Sequence, residues 1–71
     1  MTVLGDMIVT ASRNCRNQND VAVIFETVTG IRPVMGTPAP SMRRGIQNAL
    51  DQMSHRDITL KYDQLKQLQL L

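Results

Sequence analysis

The sequence predicts an all-α fold, a compact single domain over residues 1–71 of about four short helices with a proline-rich connector. Three observations predict it. A chain of 71 residues supports only one small core, and a domain of this size buries only about 60% of the surface its unfolded chain exposes. Apolar residues recur at three- and four-residue spacing along most of the chain. Pro33, Pro38 and Pro40 gather with Gly36 in one stretch, where regular structure must give way.

The first helix is read from TVLGDMIVTASRNC, where Val3, Leu4, Met7, Ile8, Ala11 and Cys15 form an amphipathic stripe. Thr2 is placed to cap it, Asp6 suits the positive end of its dipole, and Gly5 weakens it. The following RNQN interrupts the helix, because Asn14, Asn17 and Asn19 can bond to local backbone groups. In NDVAVIFETVTG the β-branched content would suit a strand, but Val21, Ile24, Phe25 and Val28 make a helical stripe. A helix here has Asn17 or Asn19 as its cap and Gly30 as its C-terminal stop, whereas a lone strand would lack a partner.

Residues 31–40 form the connector, which Ile31, Val34 and Met35 are expected to pin to the core. Ser41 is expected to cap a third helix with Met42, Ile46, Ala49, Leu50 and Met53 inward. SHRD, residues 54–57, ends that helix. The last helix is expected over residues 59–69, on Leu65 and Leu68, although Ile58, Leu60 and Tyr62 could begin as a short strand.

With no Trp and only Phe25 and Tyr62 as aromatic residues, the core must be filled by Val, Ile, Leu and five Met. Methionine packs adaptably and specifies geometry loosely. Residues 1–40 hold three acids and three bases and residues 41–71 three acids and five bases, so the net charge of +2 is C-terminal. That surplus permits a nucleic-acid partner without requiring one.

Enzymatic constellations are not found, and a non-enzymatic protein is expected. Cys15, His55 and Asp57 have the residue types of a nucleophile, a base and an orienter, but no motif brackets them. One Cys and one His cannot make a structural zinc site, and Gly30 and Gly36 lack the surroundings of a phosphate loop. Neither a metal nor a cofactor is expected. Cys15 has no internal disulfide partner, no apolar run approaches a membrane span and the opening residues lack a signal-peptide pattern. A cytoplasmic location, with no membrane partner, is the expectation.

The sharpest functional feature is Arg43 with Arg44. With Ser41 as cap they fall in the first helical turn, where free N–H groups already make the helix end positive. No acid lies three or four positions away to relieve them. In the last helix, by contrast, Asp57 precedes Lys61 by four and Asp63 precedes Lys66 by three, the spacing of ordinary surface pairs. Two guanidinium groups at a helix start suit a phosphate or a guanine edge, and Gln47 and Asn48 one turn on are residue types that read adenine. The alternative is that both arginines extend into solvent or meet acids elsewhere, such as Asp6 or Glu26.

Other basic residues have simpler explanations. His55 and Arg56 are expected beyond the third helix's far end, roughly 18 Å from Arg43, where the dipole favours them, as it does Arg13 and Arg16 at the end of the first helix. A helix-turn-helix unit joins its helices with three or four residues, unlike the long connector before Ser41. Pairing residues 42–53 with 59–69 gives a short turn but presents Lys61, Asp63, Gln64 and Lys66, a mixed surface.

The second candidate surface is apolar. Leu65, Leu68, Leu70 and Leu71 close the sequence, and one narrow core cannot accept all four. A protein interface, either homo-oligomeric or with a larger target, is the expectation, and the alternative is that the leucines simply dock on their own domain. The leading expectation is a small regulatory protein that binds nucleic acid, DNA first, through Arg43, Arg44, Gln47 and Asn48. The alternative is a protein-binding module or inhibitor that docks an apolar helix and the leucine tail onto a larger protein, and the third is a structural subunit of an assembly.

Overall fold

The caps decide where each helix can start and stop. In the computed structural model, which describes residues 2–71, the chain forms α1 (Val3–Asn14), α2 (Gln18–Thr29), α3 (Ala39–Asp51) and α4 (His55–Gln67). Thr2 Oγ accepts from Gly5 N at 3.1 Å to open α1, and Asn17 Oδ1 accepts from Asp20 N at 2.9 Å to open α2. Gly30, at φ 74°, closes α2 by donating its N–H to Glu26 O at 2.8 Å. No strand occurs among the described residues, so the 20–29 and 57–63 segments are both helical.

Two helix starts lie earlier than the sequence suggests. Helix α3 begins at Ala39 rather than after Ser41, with Pro38 as its cap and Pro40 in its first turn. Proline fits there because its fixed φ is helical and its missing N–H has no intrahelical role. Ser41 N and Met42 N both donate to Pro38 O, at 3.0 and 3.2 Å. Helix α4 begins at His55 because Ser54 Oγ accepts from Asp57 N at 3.2 Å. His55 and Arg56 therefore sit at the start of α4, with Asp57 beside them to suit the dipole, and not at the end of α3.

All four helices contribute to one core of Ile8, Val9, Val21, Ile24, Val28, Met42, Ile46, Leu50, Ile58 and Leu65. Helix α1 is rotated relative to its predicted stripe. Val3 and Met7 face outward, while Gly5, Val9 and Ser12 are buried. Ser12 can be buried because its hydroxyl donates to Val9 O at 2.6 Å. Helices α2 and α3 pack most closely, α1 touches the other three, and α3 and α4 barely meet although only Gln52–Ser54 joins them.

Gly45 makes the α2–α3 approach possible. A Cβ on it would lie 2.6 Å from Cε2 of Phe25. Gly45→Val should therefore destabilise the domain by about 1–3 kcal/mol, as overpacking does. Thermal melts of Gly45→Val in the native and Phe25→Leu backgrounds should show the penalty shrinking once the ring is gone, a coupling that an unrelated helix-propensity effect would not produce.

The C-terminal leucines are placed by a Schellman turn. Gln69 adopts φ 62°, Leu70 N donates to Leu65 O and Gln69 N to Lys66 O, each at 3.0 Å. The turn carries the chain back so that Leu70, with Leu71, packs against the core that Leu65 enters. A glutamine in this left-handed conformation is strained relative to glycine. Gln69→Gly should raise stability by about 1 kcal/mol, seen as a higher melting temperature.

The connector does not dock by its apolar side chains, contrary to expectation. Ile31, Val34 and Met35 are 62%, 81% and 99% exposed. Polar contacts with α2 hold it instead: Gln18 Nε2 donates to Thr37 O, and Arg32 pairs with Glu26 at 3.8 Å. A turn closes over Val34–Thr37, with Thr37 N donating to Val34 O at 3.0 Å and Gly36 at φ 88°. That glycine holds the position where a type II turn requires positive φ, and the turn lifts Val34 and Met35 off the core.

Candidate nucleic-acid interface

Because α3 starts at Ala39, Arg43 and Arg44 are its fifth and sixth residues, in the second turn rather than the first. Their backbone N–H groups lie inside the helical ladder, so the crowding of free donors expected around them does not arise. A different contact fixes Arg43. Its Nε donates to Ser12 O at 3.0 Å, across 31 positions of sequence. Ser12 lies in the last turn of α1, where carbonyl groups have no intrahelical partner and carry the negative end of the dipole. Arg43 thus caps the end of α1 with one edge of its guanidinium.

That bond uses Nε and leaves both terminal nitrogens of Arg43 without a hydrogen-bond partner among the described residues. The half-buried side chain is held in place with its terminal nitrogens unbonded. Arg44 is exposed and reaches Ser41 Oγ at 3.4 Å. Neither arginine meets Asp6 or Glu26. Among the described residues the single ion pair is Arg32 with Glu26, so the Asp57–Lys61 and Asp63–Lys66 pairings expected on α4 are not formed.

Helical spacing sets the rest of the surface. Arg43 and Gln47 form one row and Arg44 and Asn48 the next, and Arg44, Gln47 and Asn48 are all exposed. Asp51 extends the Arg43–Gln47 row by one more turn and puts an acid at its far end. All four predicted residues are therefore on one side of α3. Arg13 and Arg16, which looked like simple dipole partners, gain significance here. Both are exposed, and Arg13 directly follows the serine whose carbonyl holds Arg43. The sequence carries no pattern for this, since the contact is long-range and Ser12 resembles a surface residue.

Cys15 stands at the same end of α1 as its C-cap, half-buried, with its thiol donating to Ala11 O at 3.2 Å. Burial pushes the thiol pKa above its ordinary value, Asp20 adds to the rise, and the Arg43 guanidinium opposes it. The native state therefore keeps its proton as pH climbs past the unfolded thiol's pKa, so this contribution to stability is full below that pKa and is lost as pH rises through the native one. Cys15 should alkylate more slowly at neutral pH in native than in denatured protein. Equal rates in an iodoacetamide time course would refute that.

The four C-terminal leucines do not gather into one exposed surface. Leu65 is in the core, Leu70 and Leu71 pack against it, and Leu68 alone is exposed, at 54%. Larger apolar exposure lies on the connector, where Pro33–Thr37 and α2 bound a groove of about 530 Å³ floored by Ala22 and Met42. Among the described residues no three His, Cys, Asp or Glu side chains gather to hold a metal, and no helix is long and apolar enough to cross a membrane. Compared with known proteins, the chain matches no family model, no curated protein and no solved structure.

Proposed function

We propose that this is a small, non-enzymatic regulatory protein that binds DNA through the exposed side of α3. Arg43 and Arg44 take phosphates or guanine edges, and Gln47 and Asn48 lie beside the bases one turn on. The observation that carries the reading is the Arg43–Ser12 bond, 3.0 Å long, which orders the guanidinium before any ligand arrives and leaves its terminal nitrogens unbonded. An ordered arginine spends less entropy on binding than a mobile one. Arg44 and the basic end of α1 supply a positive field around it. The long connector between α2 and α3 departs from the helix-turn-helix pattern, so a different docking arrangement is implied.

The test is fluorescence anisotropy of a labelled duplex titrated with protein from about 50 to 200 mM salt, where affinity carried by phosphate contacts falls steeply. Measurable binding with a log–log slope set by several phosphates supports the reading. Absence of binding at the lowest salt to both the duplex and its single strand, or binding indifferent to salt, removes it.

A second reading is favoured by Met35, 99% exposed beside Val34 at 81%. Such residues suit a protein partner, a larger target or a second copy, that lays an apolar segment along the connector groove. On that reading Met35→Ser with Val34→Ser weakens a complex that salt leaves intact, and light scattering reports any self-association. A cytoplasmic location is part of the proposal, supported by the lone thiol of Cys15.

A further inference from the structure

We infer that the nucleic acid is double-stranded DNA and that its phosphate backbone is held by Arg13 in the last turn of α1 and Arg16 just beyond that helix's cap, as well as by Arg43 and Arg44 of α3. This rests on the DNA-binding reading and adds the form of the partner and two residues to it. The first support is the joint between the helices. Arg43 Nε bonded to Ser12 O at 3.0 Å fixes the second turn of α3 against the last turn of α1, which brings the backbone of Arg13, next to Ser12, beside α3, with Arg16 three residues on.

The second support is charge. None of these four arginines has a carboxylate within 4.0 Å, the limit at which Arg32–Glu26 is the ion pair found among the described residues. Two acids border that joint. Asp20 is engaged with Asn17, whose Nδ2 donates to its Oδ2 at 3.3 Å, and it faces the N-terminal end of α2, where the dipole offsets its charge. Asp51 stands two turns beyond Arg43 on α3. Neither lies within ion-pair distance of the arginines.

The third support is what the surface lacks. Binding of single strands relies on aromatic side chains on which unpaired bases stack. The chain has only Phe25 and Tyr62, and both are packed against the core, Phe25 with its ring over Gly45. A surface of arginines with amides beside them and no stacking platform suits a duplex, whose phosphates are exposed and whose bases are already stacked. In a duplex, Asn and Gln on a helix reach base edges through the major groove, which in B-form DNA is wide enough to admit a helix.

The experiment compares a labelled duplex with its single strand over a salt series, using the full chain and two double variants. Four phosphate contacts predict a log–log slope of about 3.6 on duplex DNA. The expected result is a duplex affinity at least about tenfold above that of the single strand. Arg13→Ala with Arg16→Ala should lower the duplex slope by about 1.8, at unchanged melting temperature. Lys61→Ala with Lys66→Ala, which removes the same charge from α4, should leave the slope in place. Equal or tighter binding of the single strand overturns the inference, as does an unchanged slope in the α1 variant or an equal loss in the α4 variant, while the DNA-binding reading survives each of these. Absence of binding to both forms by the unmodified protein removes that reading, and this inference with it.

Discussion

Ile46→Ala should remove about half of the domain's stability. Ile46 is fully buried midway along α3, with Met42 one turn before it and Leu50 one turn after on the same face. Truncation removes its transfer energy and leaves a cavity, a cost of about 2–5 kcal/mol. A domain of this length has net stability on the order of only 4–10 kcal/mol, and each kcal/mol lowers its melting temperature by about 4–8 °C. The expected result in a circular dichroism melt is a fall of about 8–40 °C, or loss of the cooperative transition. Ile31→Ala provides the contrast. Ile31 is 62% exposed on the connector, and its truncation should stay within about 0.5 kcal/mol. Equal effects from the two isoleucines would contradict the placement of the core.

The second large effect is on binding. Arg43→Ala with Arg44→Ala should weaken duplex DNA affinity by at least roughly 100-fold, since each charged hydrogen bond contributes about 1.5–3 kcal/mol and tenfold corresponds to about 1.4 kcal/mol. The two arginines differ in what else they do. Arg44 is exposed and its loss should leave the melting temperature unchanged. Arg43 also satisfies the Ser12 carbonyl, so its loss should cost about 1 kcal/mol of stability as well. Arg43→Lys separates the roles. Lysine keeps the charge but lacks the planar fork that bonds a carbonyl with one edge and a phosphate with the other. It should preserve the salt slope and lose affinity, whereas a purely electrostatic role would leave both intact.

Much of the fold is legible in the sequence because it depends on local patterns. The stripes of α2 and α3, the Thr2 and Asn17 caps and the Gly30 stop are each set by residues within a few positions of one another. The departures arise where two local preferences compete or where the determinant is distant. Ser41 is the stronger capping residue, yet Pro40 already fits a first turn and carries the start of α3 back to Ala39. Ser54 likewise captures His55 and Arg56 for α4. The tail reversal at Gln69 lacks the glycine that announces such a turn. The apolar residues of the connector suggest docking, but the prolines and the turn at Gly36 hold them away from the core.

The same division holds at the candidate site. Arg43, Arg44, Gln47 and Asn48 share one side of α3 because their spacing dictates it. What orders Arg43 is a carbonyl 31 residues away on another helix, and no local pattern encodes that. Arg43 is set apart not by free N–H groups at the helix start but by its anchored Nε and its unbonded terminal nitrogens.

The central claim is that this anchored joint of α1 and α3 is where DNA binds. Titrating ¹⁵N-labelled protein with a short mixed-sequence duplex, and following every backbone amide by NMR, tests it most directly. The account predicts progressive, salt-sensitive shifts at Arg43, Arg44, Gln47 and Asn48, continuing onto Arg13 and Arg16. Shifts confined to Ile31–Met35, or a spectrum that the duplex leaves unchanged, would contradict it.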